Sequence, residues 1–238
     1  MRRNVACVIT DTLRQASDNA AAFWTVLAEA RGYRLLRGPG FLTVSGTERY
    51  GMRVMVMSPE VPPEALRPVV ADRPPGPCTV EDPFGTVTVD GLTPRELPVM
   101  IREPAPAPPP ARPVSLVTGA GDLAAVERIV VDGFPLSTFQ PYRPGEVFPA
   151  SLLDRDDIAF FRLGDAGAAV TLVAAGVVGA YWVTTMPEHR SQGVGRALML
   201  ATLARHPDLP MTLTASRAGR PLYESMGFVT ITGSTWWA

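Results

Sequence analysis

The sequence predicts an α/β fold in two parts, and three observations carry that prediction. Short apolar runs with strand character alternate with single amphipathic stretches along the chain, the pattern of helices packed on a sheet. A run of prolines, Glu103-Pro-Ala-Pro-Ala-Pro-Pro-Pro-Ala-Arg-Pro113, removes backbone donors and keeps the chain extended, so it separates residues 1–102 from residues 114–238 as a semi-rigid connector. From Tyr181 to Leu198 a strand passes through a glycine-containing turn into a helix.

Residues 1–102 read as a smaller α/β domain of order α-β-β-β-α-β. Asp11 to Ala30 predicts a helix, with Leu13, Ala16, Ala20, Phe23, Trp24 and Leu27 on one stripe and Gly32 as its stop. Strands are expected at Tyr33–Leu36, Phe41–Val44 and Met52–Met57. Pro62 and Pro63 suit the first turn of a short helix, and Pro68 argues against its running past Arg67. Arg73 to Arg95 reads as loop, rich in Pro, Gly and Asp. Leu97–Ile101 reads as a last strand, placed at a sheet edge because Pro98 cannot donate to a ladder.

In residues 114–238, Val114–Thr118 predicts a strand and Asp122 a capped helix through Val131. Gly133 to Pro149 is irregular and holds Phe134, Phe139, Tyr142 and Phe148 among prolines; it reads either as a lid over an acceptor or as a packed loop. A helical turn is expected at Ser151–Asp156, and a hairpin from Ile158–Arg162 and Ala168–Ala174 across residues 164–167. A long strand follows at Gly179–Met186 and a helix from Gly193 to Arg205, ended by Pro207. Then come a strand at Met211–Ala215, a short helix at Pro221–Met226 stopped by Gly227, and a closing strand from Val229 to Ile231; Trp236 and Trp237 read as sheet-edge or interface residues.

Composition narrows the function. With a net charge of −1 and basic residues that are scattered arginines without a single lysine, nothing favours a nucleic acid. Cys7 and Cys78 are too few for a disulfide framework and lack metal-ligand spacing, so no metal is expected. Asp11 and Arg14 interrupt the apolar start before a signal core forms, and no run reaches membrane-spanning length. A cytoplasmic protein is expected, with a homodimer left open.

The chemistry concentrates in Arg190-Ser-Gln-Gly193-Val-Gly195-Arg196. Two glycines let backbone N–H groups face one concavity, and the helix start adds partial positive charge, which suits a pyrophosphate. A tight turn that binds nothing remains an alternative. A dinucleotide fingerprint does not fit, because Leu198 stands where a third glycine belongs and no acid closes the unit.

Arg190-x-x-Gly193-x-Gly195, followed at the expected distance by Thr212-Leu-Thr-Ala-Ser216 and Pro221-Leu-Tyr223-Glu-Ser-Met-Gly227-Phe228, resembles the GNAT N-acetyltransferase family. The resemblance covers residues 114–238; residues 1–102, in their α-β-β-β-α-β order, read as a degenerate GNAT-like half without a phosphate loop. It implies a mixed, mostly antiparallel sheet flanked by helices, with acetyl-CoA as cosubstrate. Backbone groups of Val183 and Thr185 would meet the pantetheine arm and thioester carbonyl. Arg190, Ser191, Gln192, Gly193, Val194, Gly195 and Arg196 would hold the pyrophosphate. Tyr223 matches the family's general acid, a phenol that keeps its proton at neutral pH; core packing beside Leu222 and Met226 is its other reading. Glu188 and His189 read as solvent-exposed residues of the loop; Glu146, Asp154 and Glu224 are left as base candidates, and none is singled out. The expected function is acetyl transfer by direct attack of a primary amine of a small molecule. The alternatives are a catalytically silent acyl-CoA-binding module and an enzyme acting on protein amines.

Overall fold

The computed structural model describes residues 5–134 and 136–238, with side chains described from Asp11 onward except that of Pro63. In chain order the elements are α1 (Val5–Arg31), β1 (Arg34–Gly38), β2 (Phe41–Ser45), β3 (Met52–Val56), α2 (Pro63–Ala71), β4 (Cys78–Asp82), β5 (Pro94–Arg102) and β6 (Ser115–Leu116). They continue with α3 (Ala120–Gly133), β7 (Ile158–Leu163), β8 (Gly167–Ala174), β9 (Val177–Thr185), α4 (Val194–Arg205), β10 (Met211–Thr214), α5 (Arg220–Glu224) and β11 (Val229–Trp237). Short 3₁₀ turns lie at Ser137–Phe139, Ala150–Asp154 and Pro187–His189. The chain forms two compact units, residues 1–102 with 212–238, and residues 103–211. The first break coincides with the start of the proline run. The last stretch of chain, expected with residues 114–238, packs instead with the N-terminal unit, because β11 pairs with both β4 and β5.

In the first unit the sheet runs β1-β2-β3-β4-β11-β5-β10. Of the pairs from β1 to β5, β3–β4 is parallel and the others antiparallel. Helix α1 buries Phe23, Trp24, Leu27 and Ala28 and ends at Gly32, whose φ of 68° only glycine adopts at little cost. There the Tyr33 N–H reaches back to Ala28 O at 2.8 Å, closing the helix end. The other face of the sheet packs Phe41, Val54, Val56 and Val80 against Leu66 and Val70 of α2.

Four readings change here. Helix α2 runs through Pro68 to Ala71 and is closed by the Asp72 N–H on Pro68 O at 2.9 Å. The penalty of roughly 3 kcal/mol for an interior proline is offset by burying Leu66 and Val70, each worth roughly 1.5–3 kcal/mol. Cys78–Asp82 is a strand inside the predicted loop, with Val80 fully buried. Its turn is built by Asp82, whose carboxylate accepts the N–H groups of Phe84, Gly85, Thr86 and Val87. Strand β5 is interior rather than an edge. Pro98 is tolerated because its carbonyl accepts the Ala215 N–H at 2.9 Å just past the end of β10, and the ring nitrogen faces that same side, where the ladder runs out. Finally, β11 extends to Trp237, so Trp236 and Trp237 lie in an interior strand. Trp236 and Trp24 flank the Arg53 guanidinium, 5.5 and 4.0 Å from its carbon, and Arg53 is ion-paired to Glu81.

The second unit is an antiparallel sheet, β9-β8-β7-β6, between two helices. Phe161, Leu163 and Ala169 meet Val194, Ala197 and Leu198 of α4 on one face. Arg162, alternating to the other face, pairs with Asp122 of α3 at 2.7 Å. Asp122 therefore lies in the first turn of α3, whose cap position is Gly119, rather than capping it. β6 shrinks to two residues because its predicted apolar face pairs only with the end of β7.

Candidate functional site

Strand β9 carries an irregularity that its apolar pattern conceals. Val170 pairs with Tyr181 and Ala168 with Thr184, so Trp182 and Val183 together face Ala169. This is a β-bulge, which breaks the ladder locally and re-aims the chain. Trp182 sits at φ 44°, a left-handed conformation that costs a bulky residue roughly 1–3 kcal/mol. Contacts that hold it there include the Phe148 ring, edge-on at 5.3 Å, and the Thr184 hydroxyl, which donates to Trp182 O at 2.9 Å. The bulge thus falls on Trp182 and Val183, and regular pairing resumes at Thr184 opposite Ala168 and continues to Thr185 opposite Gly167.

Beyond β9 the Met186 N–H donates to Ala166 O at 2.9 Å, and a 3₁₀ turn at Pro187–His189 redirects the chain toward α4. Ser191 at φ 60° and Gly193 at φ 78° are both left-handed. Among the described residues, the backbone N–H groups of Ser191, Gln192, Gly193, Val194 and Gly195 donate to no acceptor, and α4's first bond runs from the Ala197 N–H to Gly193 O at 3.0 Å. Free donors on N1 and N2 are usual at any helix start. Here they continue three residues upstream, and alternating left-handed residues turn successive N–H groups inward as in an anion-binding concavity. A Cβ built on Gly193 meets no atom within 4 Å, so space stands open at that point. The turn is braced from behind: Gln192 Nε2 donates to Glu188 O at 2.9 Å and Arg112 Nη1 to Gln192 O at 3.3 Å. Val194, 1% exposed, anchors the helix start in the core. Arg190 and Arg196 are exposed on either side of the concavity in sequence.

The structure therefore brings together, on one strand–turn–helix of the second unit, every residue expected to hold the cosubstrate. Tyr223 belongs to the first unit. It lies on the short helix α5, 8% exposed, with its ring against Gly219 and edge-on to Phe228 at 5.8 Å. Among the described residues its hydroxyl finds no hydrogen-bond partner, and burial pushes its pKa up to about 12. The ring is thus packed among core side chains, and the hydroxyl is neutral at ordinary pH. Of the base candidates, Glu224 is paired to Arg220 at 2.7 Å; Glu188 in the loop is exposed.

Glu127 escaped the sequence reading. It is fully buried, and its carboxylate accepts four hydrogen bonds from residues 142–148. The available signal was a lone charge on the apolar face of α3, spaced three and four residues from Val130, Leu123 and Val131. Its bonds, with Gln140 Nε2 donating to Asp132 at 2.8 Å, tie the aromatic segment down; Phe139 and Phe148 are buried and Phe134 remains 45% exposed. Cys78 is a buried thiol with its pKa raised by burial; the side chain of Cys7 lies outside the described residues. Among the described residues no cluster of three metal-ligating side chains occurs, and no helix is long and apolar enough to cross a membrane.

Residues 153–230, which run from β7 through the N–H concavity and α5, match the family model of the acetyltransferase (GNAT) domain. The fold is the GNAT fold. Solved structures agree over almost the full length. A GCN5-related N-acetyltransferase from Kribbella flavida is 18% identical with a TM-score of 0.57, covering 92% of this chain and 94% of its own. A GNAT-family protein from Novosphingobium aromaticivorans is 16% identical with a TM-score of 0.62, covering 95% and 96%. A GCN5-related N-acetyltransferase from Sphaerobacter thermophilus is 17% identical with a TM-score of 0.55, covering 96% and 90%. These similar structures extend over both units of the chain. No curated protein matches the sequence.

Proposed function

We propose that the chain is an acetyl-CoA-dependent N-acetyltransferase acting on a primary amine of a small molecule. The observation that carries this reading is the run of uncommitted N–H donors from Ser191 to Gly195 at the mouth of α4. Such donors fit the pyrophosphate of a coenzyme A without needing a lysine or a metal. Arg190 and Arg196 supply charge beside them, and the bulged backbone at Val183, with Thr185, offers groups to the pantetheine arm and the thioester carbonyl. Residues 114–238 carry the transferase machinery, 103–113 serve as connector, and 1–102 are a degenerate GNAT-like half.

In the reaction, the amine nitrogen attacks the thioester carbonyl carbon directly. A backbone N–H stabilises the oxyanion that forms. Collapse breaks the C–S bond, the Tyr223 hydroxyl gives its proton to the departing thiolate, and the amine's surplus proton leaves to solvent. The phenol is protonated at neutral pH, as a proton donor must be.

The test is calorimetry with CoA and acetyl-CoA on the natural chain and on Gly193→Val, with thiol release followed over an amine panel. Binding that Gly193→Val abolishes, together with thiol release for at least one amine, supports the proposal. Binding without release for any amine favours a silent acyl-CoA module, release with peptide amines alone favours a protein acetyltransferase, and absent CoA binding removes all three.

A further inference from the structure

Glu127 has no part in the acyl-transfer reading, yet its position is costly unless it serves something. It projects from α3 between Val126 and Val130, both fully buried, and is itself 0% exposed. Its Oε1 accepts the N–H groups of Val147 at 2.5 Å and Phe148 at 3.0 Å. Its Oε2 accepts the Gly145 N–H at 2.7 Å and lies 2.9 Å from the Tyr142 hydroxyl, which also reaches Ala124 O. Val147 and Phe148 lie outside any strand and are buried, so without the carboxylate their N–H groups would be orphaned inside the protein.

The consequence of this grip lies at Phe148. Held by its N–H, Phe148 is 1% exposed and sets its ring edge-on to Phe160 at 5.1 Å and to Trp182 at 5.3 Å. Trp182 is the residue whose left-handed backbone makes the β9 bulge. A strained conformation of that kind persists only where its surroundings over-determine it, and the Phe148 ring is one wall of those surroundings. We propose that Glu127 is a positioning residue for β9, acting through Phe148 and Trp182 to hold the bulge that presents the Val183 backbone. Its effect on catalysis rests on the reading of Val183 as a contact of the thioester.

Hydrogen exchange on the full, ligand-free chain tests the link. Glu127→Gln keeps the size of the side chain but turns one acceptor oxygen into a donor facing a donor. Phe148→Leu removes the ring and leaves the carboxylate intact. Both should raise exchange of the amides of residues 181–185 by about tenfold, the effect of losing a local restraint, and leave residues 191–196 unchanged. Faster exchange confined to 142–148 would overturn the proposal, and Phe148→Leu keeps the test decisive if Glu127→Gln does not fold. A second measurement uses acetyl-CoA labelled with carbon-13 at the carbonyl. Glu127→Gln should bind CoA within about threefold of the natural chain, since the N–H concavity is untouched, but lose most of the carbonyl shift on binding. An undiminished shift in bound Glu127→Gln would remove the catalytic consequence. If the natural chain binds no CoA, the acetyl-transfer reading falls, while the exchange data still decide what Glu127 holds.

Discussion

Gly167 opens β8 beneath the start of α4, and replacing it with alanine tests how closely helix and sheet approach. A Cβ there would lie 2.6 Å from the Thr184 carbonyl oxygen, 2.6 Å from Val194 Cγ1 and 3.1 Å from Leu198 Cδ1. The two side chains can shift only by retreating from their core contacts, and the carbonyl belongs to a paired strand residue of β9. Overpacking of this kind costs roughly 1–3 kcal/mol, and contact with fixed backbone places Gly167→Ala at the upper end, about 2–3 kcal/mol. For a chain of this size, where 1 kcal/mol moves Tm by roughly 2–4 °C, the midpoint should fall by about 4–12 °C. Gly164→Ala in the adjoining turn is the control. Its φ is 49° and its Cβ would meet nothing within 4 Å, so only a left-handed penalty of about 1 kcal/mol applies, worth roughly 2–4 °C. Because Val194 is the first residue of α4, Gly167→Ala should also weaken CoA binding, and Gly164→Ala should not. Thermal melts followed by circular dichroism, with calorimetry below the midpoint, read both effects. A Gly167→Ala midpoint equal to that of the natural chain would refute the close approach.

Three further outcomes are expected. Tyr223→Phe should retain acetyl-CoA affinity while thiol release slows by ~10²–10⁴-fold, if proton donation matters to the rate; unchanged turnover in stopped-flow assays would remove the assignment. The raised pKa of Tyr223, about 12 against an ordinary ~10, favours the folded state. That contribution is complete below about pH 10 and is lost as pH rises through about 12, so urea midpoints of the natural chain should decline over this window more than those of Tyr223→Phe. Parallel declines would refute it. Asp82→Ala strips the acceptor from four backbone N–H groups in a fully buried position and should cost about 3 kcal/mol or more; a loss under about 1 kcal/mol in urea titration would show that water replaces the carboxylate.

The strand-to-helix turn with its free N–H groups was legible because its geometry is local. Gly193 and Gly195 with Arg190 define a strand-to-helix turn through φ angles and N–H directions that involve only neighbouring residues. The helix from Gly193 to Arg205 and the hairpin of β7 and β8 were legible for the same reason: periodicity and turn residues act over a few positions. β4 was not, because Pro74, Pro75 and Gly76 before it and Pro83 and Gly85 after it dominate the local pattern. Val80 becomes a strand residue only when β3 and β11 supply partners.

The sequence by itself determined the α/β class, the break before the proline run, the strand-to-helix turn at Gly193 and the candidacy of Tyr223. Only the tertiary structure decided that β11 closes the N-terminal unit, that β5 is interior, that Trp182 bulges β9 and that Glu127 holds residues 142–148. Each of those four depends on a partner distant along the chain: β4 for Trp236, β10 for Pro98, Phe148 for Trp182, three N–H groups and a tyrosine hydroxyl for the Glu127 carboxylate. Local propensity is silent on such pairings, since the free energy that selects them comes from burial and hydrogen bonding realised only once the chain has folded.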